Sequence, residues 1–248
     1  KNIKIAFKYM DYPVAFFNSF LYVIIVSIAQ LISCTLAGYG FARFDFKGKN
    51  VVFGLVIFTL IVPPQLLLVP LYMNFRFFDI YGLLGEQSIN LLKSFWPFVL
   101  PALTGTGMRN GLFIFIMRQF FMGMPTALEE SAKVDGAGPI RTFFYVMLPG
   151  AVPAMLIVFL FSFVWQWNDI FYISMYMSGG DLLPFALSSA ADNYANLYIK
   201  RYGTNIPGEL SSLINNAGMI MFIAPLLIIY ASLQRYFIES VQRTGLVG

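Results

Sequence analysis

The sequence contains no histidine, a single cysteine and only 11% charged residues, and each shortage removes a class of function. Without histidine the commonest transition-metal ligand and general base is missing, and most enzymatic readings weaken. Cys34 stands alone within an apolar run, so no intrachain disulfide forms and nothing about redox compartment follows. No phosphate-binding loop of the form Gly-x4-Gly-Lys-Ser/Thr occurs, so the chain carries no signature of an ATPase site of its own. No internal repeat is evident, which counts against carriers assembled from inverted halves. The acidic residues fall almost entirely outside the apolar runs, and no clustered catalytic or metal-binding set stands near one of their ends.

What is abundant is apolar: 58% of residues are hydrophobic and mean hydropathy is +0.72. Ordinary globular chains carry about 25% charge, so lipid is the solvent this composition implies. A net charge of +4 is ordinary for a membrane protein, whose Lys and Arg gather near headgroups, and gives no support for nucleic acid as a partner.

A helix needs roughly 20 apolar residues to cross a bilayer core, and about five such stretches are present. They run from Val14 to Ala42, Val51 to Phe75, Ile89 to Met117, Phe143 to Trp167 and Ala217 to Tyr236. The runs are continuous rather than alternating, which favours an all-α polytopic membrane protein over a closed sheet. The third run, about 29 residues or roughly 43 Å of helix, is too long for one straight crossing. Pro97, Pro101, Gly105, Gly107 and Gly111 are expected to break it between Pro101 and Gly107. The second has the same flaw at Pro63, Pro64 and Pro70. Two readings of these breaks stand: packing kinks, or an unwound segment lining a pathway.

Between the third and fourth runs lies a polar island. It reads Pro125, then Leu128-Glu129-Glu130-Ser131-Ala132, then Asp135-Gly136-Ala137-Gly138, and later Val146-Met147-Leu148-Pro149. This spacing resembles the EAA loop by which permease subunits of bacterial ABC importers engage their ATPases, with Ser131 in place of the usual first Ala and Val146 in place of Ile. Flanking segments resemble the maltose-type, multiple-sugar branch of those permeases. They are Ala37-Gly38-Tyr39-Gly40-Phe41-Ala42-Arg43-Phe44, Pro63 through Tyr72, Phe115-Ile116-Met117-Arg118-Gln119-Phe120-Phe121, Trp167-Asn168-Asp169 and Gly245-Leu246-Val247-Gly248.

The resemblance implies a type I ABC importer permease fold. Its implied assembly contains two ABC ATPase subunits, a second homologous permease, an extracellular solute-binding protein and a sugar or oligosaccharide substrate, all in a bacterial inner membrane. ATP and Mg would be bound by the ATPases, and this chain would hold no cofactor or metal. Lys and Arg placement alone barely decides orientation. With the island inside, residues 1–13 lie outside, 14–240 form the transmembrane domain with coupling loop 124–149 and outer segment 177–214, and 241–248 form a cytoplasmic tail. The chain begins at Lys1 without an initiator Met, so five spans here imply six in the intact subunit.

Within the island, Pro125 suits a first helical turn, and Glu129 and Glu130 suit a helix N-terminus. Ser131 and Ala132 are small enough for close docking, and Asp135 leads into a reversal that Gly136 and Gly138 permit. Pro139 starts a second helix, and Leu148-Pro149 ends the surface segment. The alternative is a merely solvated amphipathic helix.

Arg109 falls inside the third run, about 13 Å of ideal helix before Arg118, and is a candidate pathway residue or a snorkelling cation. Trp165, Trp167, Asn168 and Asp169 have the aromatic and hydrogen-bonding character of a sugar site or outer gate, and equally of an interfacial belt. Asp192, Asn193, Tyr194 and Tyr198 are candidates for contact with the binding protein, with a solvated connection as the alternative. The rival function is an ion- or proton-coupled secondary transporter of small polar solutes.

Overall fold

The computed structural model describes residues 2–79, 88–177 and 181–245, and every long element in it is helical. Among these residues the one pairing of extended backbone is an isolated antiparallel bridge between Phe78 and Ile89. Lys1, residues 178–180 at the head of the expected outer segment and residues 246–248 of the expected tail lie outside the described residues.

After a short helix α1 (Asn2–Tyr9), α2 (Tyr12–Arg43) runs unbroken for 32 residues, a rise of about 48 Å. Pro13 sits in its opening turn, where a missing N–H leaves no bond unmade, and no proline follows. Its buried positions include Ala15, Ser19, Tyr22, Val26, Gln30, Cys34 and Gly38, a stripe at helical spacing. That stripe passes through both buried clusters of the molecule. One joins α2's first half to the C-terminal elements, and the other joins its second half to the segment around Phe113–Val158.

The second apolar run is not one helix. The chain forms α3 (Lys49–Phe58), capped by Thr59, makes a 3-10 turn over Pro64–Leu67 and resumes as α4 (Leu68–Arg76). Pro63 and Pro64 enforce the interruption, whereas Pro70 is tolerated within α4's first turn. The third run divides likewise into α5 (Trp96–Leu103) and α6 (Asn110–Gly123), with Arg109 in the left-handed region at φ 61° between them.

The island holds α7 (Ala127–Val134) and α8 (Pro139–Thr142). The chain continues through a π turn over Phe143–Met147, α9 (Leu148–Gly150) and α10 (Val152–Trp167). Pro149 lacks the N–H that would meet the carbonyl of Tyr145, and the neighbouring Leu148 N–H reaches back five residues to the Phe143 oxygen. The turn into the next span therefore falls at Ala151, two residues later than Leu148-Pro149 suggests; the segments Pro139–Gly150 and Val152–Trp167 meet at 72°.

Residues 177–214 are not an irregular connection. They contain a 20-residue helix, α12 (Leu183–Tyr202), between α11 (Phe171–Met177) and α13 (Gly208–Gly245). Leu183, Pro184, Ala190 and Ala191 are buried along one side of α12, a face that the segment's overall polarity conceals. In α13, Pro225 leaves the Met221 carbonyl without its intrahelical donor. The Tyr12 hydroxyl donates to that oxygen at 3.0 Å, and the Trp167 indole donates to the next carbonyl, Phe222, at 3.1 Å.

Five spans were expected. Among the described residues two single helices are long and apolar enough to cross a membrane, Tyr12–Arg43 and Gly208–Ser232, and up to four spans result if each bent helix pair counts as one.

Candidate functional site

Helix α7 is short, and its ends explain its persistence. Glu129 and Glu130 occupy its first turn, where the helix dipole favours carboxylates. Its far end closes with the Gly136 N–H bonded to the Lys133 oxygen at 3.0 Å and the Ala137 N–H bonded to the Ala132 oxygen at 2.9 Å. That pair of bonds is a Schellman stop, and it requires the left-handed backbone that Gly136 adopts at φ 77°. Gly138 is different: at φ −72° and ψ 169° its backbone is open to any residue.

The two glutamates separate in space. Glu129 turns inward: its Oε1 accepts a hydrogen bond from the Tyr39 hydroxyl at 3.1 Å and lies 3.7 Å from Arg43 Nε. Arg43 in turn donates from Nη2 to the Met124 oxygen at 2.7 Å. Glu130, Ser131 and Asp135 face solvent, Ala132 is buried, Leu148 is half-buried and Pro149 is exposed. The island is thus bolted to the C-terminal end of α2, and Phe143 and Met147 bind it to the buried cluster around Cys34, Met117 and Phe121. On the outer side Val134, Ile140 and Tyr145 are 87%, 76% and 77% exposed. Ile140 and Tyr145 border an apolar groove of about 600 Å³ completed by Gly138, Pro139, Arg141 and Phe144.

Arg109 and Trp165 are brought together, the guanidinium 4.2 Å from the ring centroid. Trp165 also stacks on Phe113 and Phe161, each with centroids 5.6 Å apart. Trp167 is only 2% exposed, packed against Phe16, Phe163 and Phe222, so it does not share Trp165's surface. The Asn168 amide folds back to donate to the Val164 oxygen at 2.7 Å. Asp169, just past α10, accepts from the Tyr172 N–H at 3.0 Å, and burial pushes its carboxyl up to about 6.

Asp192, Asn193, Tyr194 and Tyr198 all lie on α12, with Asp192 and Asn193 exposed. The Tyr194 ring meets Tyr9 edge-on at 5.1 Å and neighbours Tyr198 at 6.2 Å. The start of α12 is fastened to the first turns of α2: Ser19 Oγ accepts from the Leu183 N–H at 2.7 Å, and Asn18 donates to the Asp181 oxygen at 3.1 Å. Helix α12 and the island consequently occupy opposite ends of α2.

One constellation escaped the sequence reading. Gln30, 1% exposed, donates from Nε2 to the Met108 oxygen at 2.8 Å and to Asn110 Oδ1, while its Oε1 accepts from Ser162 Oγ and, at 3.4 Å, from Gln166 Nε2. With its one hydrogen given to Gln30, Ser162 Oγ accepts from the Ser27 hydroxyl at 3.1 Å, and the Tyr22 hydroxyl donates to Gln166 Oε1 at 2.7 Å. Ser33 and Asn110 both donate to the Ala102 oxygen. Carbonyls freed by the α5/α6 break are thus satisfied by side chains, as apolar surroundings demand. The available signal was the spacing of Ser27 and Gln30 within an apolar run, opposite Ser162 and Gln166 one turn apart.

Comparison with known proteins bears on the whole chain. The sequence pattern of the family described as binding-protein-dependent transport system inner membrane component matches residues 31–243. An arabinooligosaccharides transport system permease protein of Bacillus subtilis is 27% identical over 94% of this chain and 73% of its own length. A lactose transport system permease protein of Rhizobium radiobacter is 28% identical over 96% of this chain and 77% of its own. A diacetylchitobiose uptake system permease protein of Streptomyces coelicolor is 28% identical over 92% and 68%. In fold, the chain is similar to a solved bacterial ABC transporter involved in import of the acidic polysaccharide alginate. That likeness has a TM-score of 0.67 and 21% identity, and covers 91% of this chain and 75% of that one.

Proposed function

The chain belongs to the family of binding-protein-dependent transport system inner membrane components, and from that premise we propose that it is a permease subunit of an ATP-driven importer of a sugar or oligosaccharide. The names of its relatives support the sugar: arabinooligosaccharides, lactose and diacetylchitobiose are the cargoes of those proteins. In this reading the chain acts beside a second homologous permease, two ATPase subunits that bind ATP and Mg, and an extracellular solute-binding protein. Its own residues bind no nucleotide and break no covalent bond.

The observation that carries the reading is the construction of the island. An outer face of Val134, Ile140 and Tyr145 stays largely uncovered by the described residues, while the inner face is anchored through Glu129 to Tyr39 and Arg43. Exposed apolar groups on a segment too polar to face lipid call for a protein partner. Docked there, an ATPase that moves on nucleotide binding displaces α7, and the anchor passes that displacement to α2. Glu130, Ser131 and Asp135 complete the docking face, and Ala132, Gly136, Leu148 and Pro149 shape it.

At the opposite end of α2, Asp192, Asn193, Tyr194 and Tyr198 offer a surface for the binding protein. Arg109 and Trp165 border the route between, with Trp167, Asn168 and Asp169 supporting it from behind. A bilayer placement with the island inside, residues 1–13 and 177–214 outside, and five spans fits this arrangement.

Cross-linking tests the reading. Cys34 is buried, so Val134→Cys or Tyr145→Cys supplies the reactive thiol. Each variant is expected to cross-link to an ATPase subunit in inside-out vesicles, and ATP-dependent uptake is expected to stop once it does. Labelling of either position from outside the cell, or purification of the intact complex without an ATPase, would overturn it.

A further inference from the structure

We propose that Gln30 is the positioning residue of the translocation step, the side chain that holds the break between α5 and α6 in register with α10. The inference rests on the importer reading but concerns residues outside the island. A buried carboxamide has two donor hydrogens and one two-lone-pair acceptor, and Gln30 commits them to three elements. Its amide bonds Met108 and Asn110 at the break, and its oxygen bonds Ser162 and Gln166 on α10. Arg109 stands between the two residues so held, in a left-handed conformation that a β-carbon disfavours, and its guanidinium lies on Trp165 from the same α10.

The network also has a built-in second arrangement. Ser162 and Gln166 stand one turn apart on α10, and both point donors at the same Gln30 oxygen, the second at a loose 3.4 Å. A movement of α10 along α2 exchanges one donor for the other, so the Gln30 oxygen stays bonded in both positions while the Tyr22 bond to Gln166 is given up. Thr104 and Thr106 in the break are exposed and joined at 2.9 Å, so the segment Gln30 controls presents hydroxyls and a cation at its surface. Lipid penalises that surface, and a watered pathway does not.

The test uses the assembled complex in liposomes, with Thr104→Cys or Thr106→Cys as reporter and a charged, membrane-impermeant maleimide as probe. With Gln30 present, the labelling rate of at least one reporter is expected to differ about tenfold between complexes with and without Mg-ATP, the signature of a shift between two populated states. In Gln30→Met, similar in length but unable to hydrogen-bond, that difference is expected to shrink to about twofold or less. Gln30→Glu provides the rescue: its carboxyl both donates and accepts when protonated and only accepts when ionised. Nucleotide response is therefore expected to return near pH 6 and vanish near pH 9.

A merely structural role lowers the yield or melting temperature of every variant alike and leaves the response of surviving complexes unchanged at both pH values. That outcome overturns the inference. So does failure of both reporters to label in complexes that carry Gln30, when the cross-link from Val134→Cys to the ATPase forms and the importer reading itself stands.

Discussion

Replacing Gly136 by valine isolates what the stop at the end of α7 contributes. The backbone there is left-handed at φ 77°, and a β-carbon added to Gly136 would meet no atom within 4 Å. Crowding therefore plays no part, and the penalty is conformational: about 1–2 kcal/mol for an ordinary residue and more for a β-branched one. Releasing the strain by unwinding forfeits the two closing bonds to Lys133 and Ala132, each worth about 1 kcal/mol net. The two routes are nearly balanced, so the last turn of α7 frays and the face containing Val134 loses its preset shape. Retention of the ATPase is expected to weaken by about tenfold, the factor for 1.4 kcal/mol. The assay is a titration of purified permease complex with its ATPase in detergent, across Gly136→Asn, Gly136→Ala and Gly136→Val. Asparagine tolerates the left-handed region and should cost least. Gly138→Ala is the control, because its backbone suits any residue. Equal losses for asparagine and valine, or a loss from Gly138→Ala as large as from Gly136→Ala, would refute the reasoning.

Three further outcomes are expected. Glu129→Gln removes the charge from a largely buried ion pair with a long 3.7 Å separation, so hydrogen exchange of residues 127–134 should quicken about fivefold or more, the factor for about 1 kcal/mol, while Glu130→Gln leaves it unchanged; identical effects would deny their separate roles. Gly38→Ala places a β-carbon 2.5 Å from Met117 Cβ and 2.9 Å from the Arg118 nitrogen. Such overpacking costs about 1–3 kcal/mol, so the melting temperature should fall by several degrees, whereas Gly40→Ala, with nothing within 4 Å, should be silent. Asp169 has its carboxyl raised from 3.8 to about 6 by burial, so its contribution to stability is full below pH 3.8 and lost as pH rises through 6. Asp169→Asn removes that loss and should gain on the parent between pH 4 and 7 by an amount of the order of 3 kcal/mol; parallel melting curves across that range would show the carboxyl is not desolvated.

Continuous apolar runs were enough to indicate a helical membrane protein, because a crossing helix must satisfy its own backbone whatever its neighbours are. The interruption at Pro63 and Pro64 was legible for the same local reason, since proline lacks a donor wherever it sits, whereas Pro101 lies inside α5 and the third run breaks only from Thr104 on. The later boundary at Ala151 was less so, since the π turn depends on how Pro149 and the buried Phe143 and Met147 compete. Helix α12 was hidden by composition; Ala190 and Ala191 become an apolar face only once α13 lies alongside. Sequence spacing treated Glu129 and Glu130 as a pair, and only the position of Arg43 and Tyr39 separates them. The Gln30 network was unreadable in advance because its partners are the Met108 backbone oxygen and side chains 80, 132 and 136 residues away in sequence.

Helix α2 has no proline after its opening turn, while the stretches beside it are broken at residues 59–63 and 104–109. Stiffness and compliance are therefore distributed unevenly across the molecule. A push at Arg43 would be passed on toward Ser19, some 24 residues and about 36 Å away, because an unbroken hydrogen-bonded helix bends less than an interrupted one. The interrupted neighbours are the more compliant, so a load carried along the subunit would deform it around Arg109 and leave its two ends in step.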